Sequence, residues 1–156
     1  MPAAMTALAT ITLGSAQATV TFGSIPATYR DLRLVVNAYG PGGDNSYCRF
    51  NSDSGANYPQ VYMYGNGSSA ASSSSTWSEQ YLGTLGTAMT TNTLDILDYA
   101  QTDKHKSTLV RGNDTTAYVQ ARAGRWANTA AITSITITCG GTYSTGSVFS
   151  LYGILA

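Results

Sequence analysis

Two carboxylates three positions apart, Asp95 and Asp98 in the run Leu94-Asp95-Ile96-Leu97-Asp98-Tyr99, come nearest in type and spacing to a reactive pair. A carboxylate pair hydrolyses glycosidic bonds only when the two groups face each other across a cleft. On an extended segment, residues three apart point to opposite sides. The pair therefore reads as turn-proximal carboxylates bound to backbone, Lys or Arg, and not as a dyad.

The remaining constellations are weaker. Ser68 and Ser147 each follow a glycine, but neither lies at the strand-to-helix turn that a nucleophile elbow requires. The single histidine, His105, stands between Lys104 and Lys106 and reads as a solvated loop residue. Asn51-Ser52-Asp53-Ser54-Gly55 has the oxygen content of a calcium loop but one carboxylate and no terminal acidic ligand, so a tight turn is the simpler reading. Gly40 to Gly43 is followed by no Lys or helix that would complete a phosphate cradle. Cys48 and Cys139 each fall in a strand-like segment and read as two reduced, buried thiols. A disulfide would need neighbouring strands, and a metal site would need more ligands than His105 adds. The reading that follows is no enzyme, no cofactor and no metal.

Composition narrows the partners. Eight basic residues balance eight acidic ones, and charged residues make up only 10% of the chain. Apart from Lys104-His105-Lys106 there is no basic cluster, so neither nucleic acid nor anionic lipid is an expected partner. No apolar run approaches the ~20 residues of a membrane-spanning helix. The N-terminal Met-Pro-Ala-Ala-Met-Thr lacks the basic and apolar regions of a signal peptide, and the chain is expected to be made and kept without secretion. With 43% hydrophobic residues over 156 positions, one domain is expected, burying roughly 70% of its unfolded surface.

The elements that would position any site are strands. In Ser134-Ile135-Thr136-Ile137-Thr138 the isoleucines share one face and the hydroxyls the other, the pattern of a sheet with one dry side. Trp126, just upstream, reads as a loop residue capping one end of the fold. Residues 9–13 and 18–22 alternate similarly around Gly14-Ser15-Ala16-Gln17 and read as a hairpin. Further strands are expected over 31–39, 47–51, 60–64, 81–85, 92–99, 107–111, 117–123 and 147–155. In the last of these Phe149 and Leu151 give way to Tyr152 and Ile154, a change of parity that suggests a bulge or twist near the end. Tyr152 is expected, with Trp126, to be core or an end cap.

Two segments read as irregular: an N-terminal arm over 1–8, and a long Ser-rich loop over 66–78 whose composition supports no core of its own. The expected architecture is a single all-β domain over 9–156, an antiparallel, jelly-roll-like sandwich of about eight to ten short strands. Leu34, Val36, Leu94, Ile96, Ile135, Ile137, Phe149 and Leu151 are its expected core.

The aromatic residues are the more informative signal. Among eleven tyrosines and two tryptophans, Tyr58, Tyr62, Tyr64 and Trp77 flank the Ser-rich segment. Exposed rings among Asn and Gln stack on sugars or fill protein interfaces. With Met5 and Leu8 of the arm, these four are the candidate interface residues.

Several stretches resemble one family. Residues 25–32 (Ile-Pro-Ala-Thr-Tyr-Arg-Asp-Leu), 49–58 (Arg-Phe-Asn-Ser-Asp-Ser-Gly-Ala-Asn-Tyr), 96–100, 125–137 and 149–154 (Phe-Ser-Leu-Tyr-Gly-Ile) are similar to the small β-sandwich structural proteins of tailed bacteriophages, cyanophages included. These serve as capsid decoration proteins and tail-fibre domains. The resemblance runs over nearly the whole chain. It implies a jelly-roll-like virion module, often trimeric, without enzymatic activity, and it transfers no catalytic residue. Two roles follow. A decoration, or cement, protein would sit on the capsid exterior and brace the major capsid protein. A tail-fibre or receptor-binding module would recognise host surface polysaccharide. A chain that starts almost directly with its first strand and carries no trunk for joining a tail favours the capsid role.

Overall fold

Where hydroxyls and isoleucines alternate most regularly, the chain forms strand β11 (Ile135–Tyr143), and Ile135 and Ile137 are fully buried. The computed structural model describes residues 4–113 and 118–155. Its other strands are β1 (Met5–Thr12), β2 (Gln17–Phe22), β3 (Asp31–Ala38), β4 (Asn45–Phe50), β5 (Tyr58–Gly65), β6 (Ala70–Trp77), β7 (Gln80–Thr84), β8 (Thr90–Leu97), β9 (Lys106–Asn113), β10 (Val119–Trp126) and β12 (Val148–Ile154). Twelve strands among the described residues exceed the eight to ten expected.

They form two antiparallel sheets, arranged as a sandwich resembling a jelly roll and not closed into a barrel. The larger has the order β1-β12-β3-β8-β9-β10-β5-β6 and the smaller β2-β11-β4-β7. The eight expected core residues are all buried between them. Leu32, Leu34, Val36, Leu94, Ile96, Phe149 and Leu151 fill one half of the larger sheet's inner face and meet Val20, Phe22, Cys48, Phe50, Ile135 and Ile137 from the smaller. Burying a side chain of this kind contributes about 1.5–3 kcal/mol.

The other half of that inner face is polar. Gln80 Nε2 donates to Gln60 Oε1 at 3.1 Å, and Thr108 Oγ1 donates to Gln80 Oε1 at 2.9 Å. This network couples β7 of one sheet to β5 and β9 of the other. Such groups tolerate burial because their hydrogen bonds are made inside.

Five expectations need correction. Met5 to Leu8 are no arm; they are the start of β1, where Met5 pairs with Ile154 and Thr6 with Gly153. Residues 1–3 lie outside the described residues. Residues 9–13 and 18–22 form no hairpin, because β1 joins the larger sheet and β2 the smaller. Most of the Ser-rich loop is strand β6, paired with β5 over eight consecutive positions from Tyr58↔Trp77 to Gly65↔Ala70. Low strand propensity is overridden there by a backbone ladder and a tight turn, in which Asn66 Oδ1 accepts from the Ser68 and Ser69 amides. β12 pairs with β3 without any register shift; the irregularity lies in its other neighbour, between Ala7 and Ala9 of β1. Tyr152 accordingly sits half-buried on the outer face, opposite Arg33, and not in the core.

Trp126 supplies the fifth in its placement only: it is buried as expected, but it belongs to a strand and not to a loop. It is the last residue of β10, is 1% exposed, and packs edge-on against Phe50 at 5.7 Å. Its Nε1 donates to Asp53 Oδ2 at 2.7 Å. Asp53 sits in the tight turn that the sequence suggests, with Asn51 and Ser52 both at positive φ. Its carboxylate also accepts from Gly55 N and Asn57 Nδ2, both at 2.9 Å. Burial works to raise the Asp53 pKa, but the hydrogen bonds from Trp126, Gly55, Asn57 and Asn128 together hold it below the ordinary carboxylate value. Asn51 completes the knot, accepting from the Thr133 and Ser134 amides and donating to Ala131 O.

A carboxylate with a depressed folded pKa stabilises the protein above its unfolded pKa, and that contribution disappears as pH falls through the folded value. Asp53→Asn should therefore flatten the acid limb of the stability profile below about pH 4. Asp53→Ala should cost about 1–3 kcal/mol at neutral pH by orphaning the Trp126 N–H. Urea unfolding followed by tryptophan fluorescence across pH measures both.

Candidate functional site

Eight strands face four, so the larger sheet projects past the smaller. The last strand of the smaller sheet, β7, packs on β8 and β9. Strands β10, β5 and β6 lie beyond it in the sheet order. On this overhang the usual sense of alternation is inverted. Gln60 and Tyr62 on β5, and Gln120 and Arg122 on β10, face inward. Val61 and Met63, at 58% and 64% exposure, and Val119 at 60%, face outward.

Arg122 organises the inner side. It is 5% exposed, and its guanidinium lies 3.8 Å from the Tyr81 ring centroid and 4.2 Å from that of Tyr62. Trp77 stands 5.7 Å away. Arg122 Nε donates to Gln120 Oε1 at 2.9 Å, whereas Nη1 is buried without a hydrogen-bond partner among the described residues. No described carboxylate forms an ion pair with it; the five ion pairs engage Arg30, Arg33, Arg49, Lys104 and Arg111. Burial pushes the Arg122 pKa down, and the surrounding tyrosines, Tyr81 first, offset part of that. A guanidinium remains charged under such conditions. The negative faces of the rings supply the compensation that a carboxylate would otherwise give.

From this centre a row of rings extends along the overhang. Tyr62 stacks with Tyr64 at 6.3 Å, and Tyr64 with Tyr118 at 5.2 Å. All three are half-buried. Trp77 and Tyr81 meet edge to face at 5.7 Å, and Tyr47 of β4 closes the group from the smaller sheet.

The candidate interface residues divide three ways. Tyr62, Tyr64 and Trp77 come together here. Met5 and Leu8 lie on β1, at the opposite edge of the same sheet, with Met5 exposed and Leu8 packed against the core. Tyr58 is wholly buried, which corrects its assignment to a surface. Its ring packs on Phe50, and its hydroxyl accepts from Phe50 N and donates to Asp53 O. Burial pushes its pKa upward.

The carboxylates considered for catalysis are committed elsewhere. Asp95 accepts from Arg33 Nε at 2.6 Å and Nη2 at 3.1 Å, with Arg111 at 3.6 Å. Asp98 lies past the end of β8 at positive φ, 3.5 Å from Lys104 Nζ. His105 is exposed, on the outer side near Arg125. Cys48 and Cys139 are free thiols on neighbouring strands; Cys48 is buried, but Cys139 is only half-buried, whereas both were expected to be buried.

Arg122, Gln120, Tyr118, Tyr81 and Tyr47 carry the cluster and were not among the expected interface residues. The available signal was Tyr118-Val119-Gln120-Ala121-Arg122-Ala123, a period-two pattern. Its polar face reads as the solvent side until the overhang is known.

No protein-family description matches this chain. No curated protein matches it either. Among solved structures, the galectin LEC-6 of Caenorhabditis elegans is similar at 13% identity over 90% of this chain and 94% of its own, with a TM-score of 0.38. The alginate lyase Aly36B is similar at 11% identity over 93% of this chain and 77% of its own, with a TM-score of 0.34. An exo-inulinase of Aspergillus awamori is similar at 15% identity over 99% of this chain but 29% of its own, with a TM-score of 0.33. Nothing about the chemistry of this chain is drawn from likenesses at that level.

Lysine lacks the planar guanidinium that lies between two rings and the Nε–H that reaches Gln120. Arg122→Lys should therefore destabilise the fold by about 1–2 kcal/mol, read as a lowered urea midpoint. Trp77, close to the guanidinium, should report the change in its fluorescence.

Proposed function

We propose that this protein is a non-enzymatic structural protein of a tailed-phage virion, a capsid decoration protein that binds the outer capsid surface and braces major capsid subunits. Support comes first from the family resemblance of residues 25–32, 49–58, 125–137 and 149–154. The observation that carries the reading is the outer face of the overhang. Val61, Ala123 and Leu109 stand in register across β5, β10 and β9. Met63 and Ala121 form the next row, and Val119 adjoins them at Gly65. Met63, Tyr64, Gly65, Ala70, Ala71, Ser72, Val119, Gln120 and Ala121 line a shallow depression of about 630 Å³ there. A contiguous apolar surface on a chain with few charges suits docking against another protein. Attachment of this kind persists at raised salt, because little of it rests on charge.

A second reading has its own observation. The partly exposed row Tyr62, Tyr64 and Tyr118, next to Ser73 and the buried amides, is the arrangement on which a host polysaccharide would stack. In that reading the protein is a receptor-binding module of the tail.

The two readings place their contacts on opposite faces of one sheet, so a single set of variants separates them. Purified protein is added to undecorated phage capsids and to host surface polysaccharide. The capsid reading expects binding and a raised temperature of capsid disruption, both lost in Val61→Lys/Met63→Lys and kept in Tyr118→Ala. Binding to polysaccharide alone, lost in Tyr118→Ala and kept in the outer-face variant, would replace the capsid reading with the second one.

A further inference from the structure

Each sheet of a sandwich ends in two edge strands whose outward N–H and C=O groups have no ladder partner. Folded proteins blunt such edges with bulges, charges, prolines or very short strands. Three of the four edges here are blunted. β1 shifts register between Ala7 and Ala9 against β12. The β2 pairing with β11 is interrupted between Thr138 and Tyr143. β7 is five residues long and shifts against β4 between Ser46 and Tyr47. The fourth edge, β6, has none of these devices. Its eight residues, Ala-Ala-Ser-Ser-Ser-Ser-Thr-Trp, contain no charge and no proline, and they pair with β5 without a shift. Residues 70–74 are all exposed.

We propose that β6 docks onto β6 of a second copy, antiparallel about a two-fold axis, joining the two eight-stranded sheets into one continuous sheet. The occupant follows from the chemistry of the edge. A strand pairing antiparallel with itself places the residues near the two-fold axis opposite their own copies, so a charge in the middle of the strand would meet a like charge. Neither β6 nor the strand behind it, Tyr-Pro-Gln-Val-Tyr-Met-Tyr-Gly, carries one. The run Ser72 to Ser75 brings hydroxyls and small side chains to the junction, which demands neither steric fit nor desolvation of charge. An acidic or basic foreign strand would find no complement there. Pairing leaves the outer apolar face free and doubles it, so that a two-footed attachment gains avidity. An edge that meets its own copy closes at two, which differs from the three-fold assembly that the family resemblance implies.

The test is sedimentation velocity of the full chain from low to high micromolar concentration, with three preparations. Wild type should reach twice the 16.3 kDa chain mass. Ser74→Lys and Ser74→Glu, each alone, should remain monomeric with unchanged strand content by circular dichroism. Mixed in equal amounts, the two variants should recover the dimer, because opposite charges then face each other across the junction. A misfolded variant could not be rescued in this way. A wild type that stays monomeric or forms a trimer would overturn the proposal. So would a dimer that survives both substitutions, or variants that fail to recover the dimer on mixing. Capsid binding by the monomeric variants is read separately, so loss of the dimer and loss of the capsid role remain distinguishable.

Discussion

The whole molecule is shaped by an imbalance: a sheet of eight strands has only four to cover it. Over β12, β3 and β8 the inner face is aliphatic, and the smaller sheet seals it. Past β7 the smaller sheet reaches over only through side chains such as Tyr81, Gln80 and Tyr47, which do not make an aliphatic seal. The chain instead covers itself with rings, amides and one arginine. Arg122 between Tyr62 and Tyr81 is the hinge of that solution, because Tyr81 belongs to the smaller sheet and Tyr62 to the overhang. One buried cation thus joins the two layers at the point where aliphatic packing stops.

Such an arrangement is expensive in desolvation, since a buried charge with no carboxylate beside it among the described residues loses its hydration. The ring faces return part of that cost, and the Gln120 hydrogen bond orients the guanidinium. The gain is a flat, rigid extension with two usable faces. Its inner side presents partly exposed tyrosines, and its outer side presents valine, methionine and alanine. Both are suited to holding something, which is the property that a cement module or a glycan-binding module would require.

The far end of the molecule depends on a different anchor. Asp53 ties the Trp126 indole, the 51–57 turn and, through Asn51, the segment leading into β11. This knot closes the end of the sandwich at Trp126, while Tyr99, bonded through its hydroxyl to Pro26 O, secures a neighbouring loop. The two anchors divide the labour. Asp53 fixes loops, and Arg122 fixes the relation between sheets.

Alternation of side chains by itself determined the strand-rich character and the aliphatic core. Leu34, Val36, Leu94, Ile96, Ile135 and Ile137 announce their inward face because burial demands apolar atoms wherever two layers meet. Breaker clusters likewise marked the turns at Gly40 and Asn51. What alternation could not decide was the sense of a face whose cover is polar and aromatic. In β5 and β10 the residues that look like a core stripe face water, and those that look like a solvent stripe form the cluster around Arg122. Propensity also failed on β6, because a serine tract becomes a strand when a neighbour offers it a hydrogen-bonding ladder. Sheet membership of β1 and β2 was equally beyond reach, since two alternating runs around a short turn look alike whether they pair or part. These outcomes depend on which strands become neighbours, and that is settled by contacts distant in sequence.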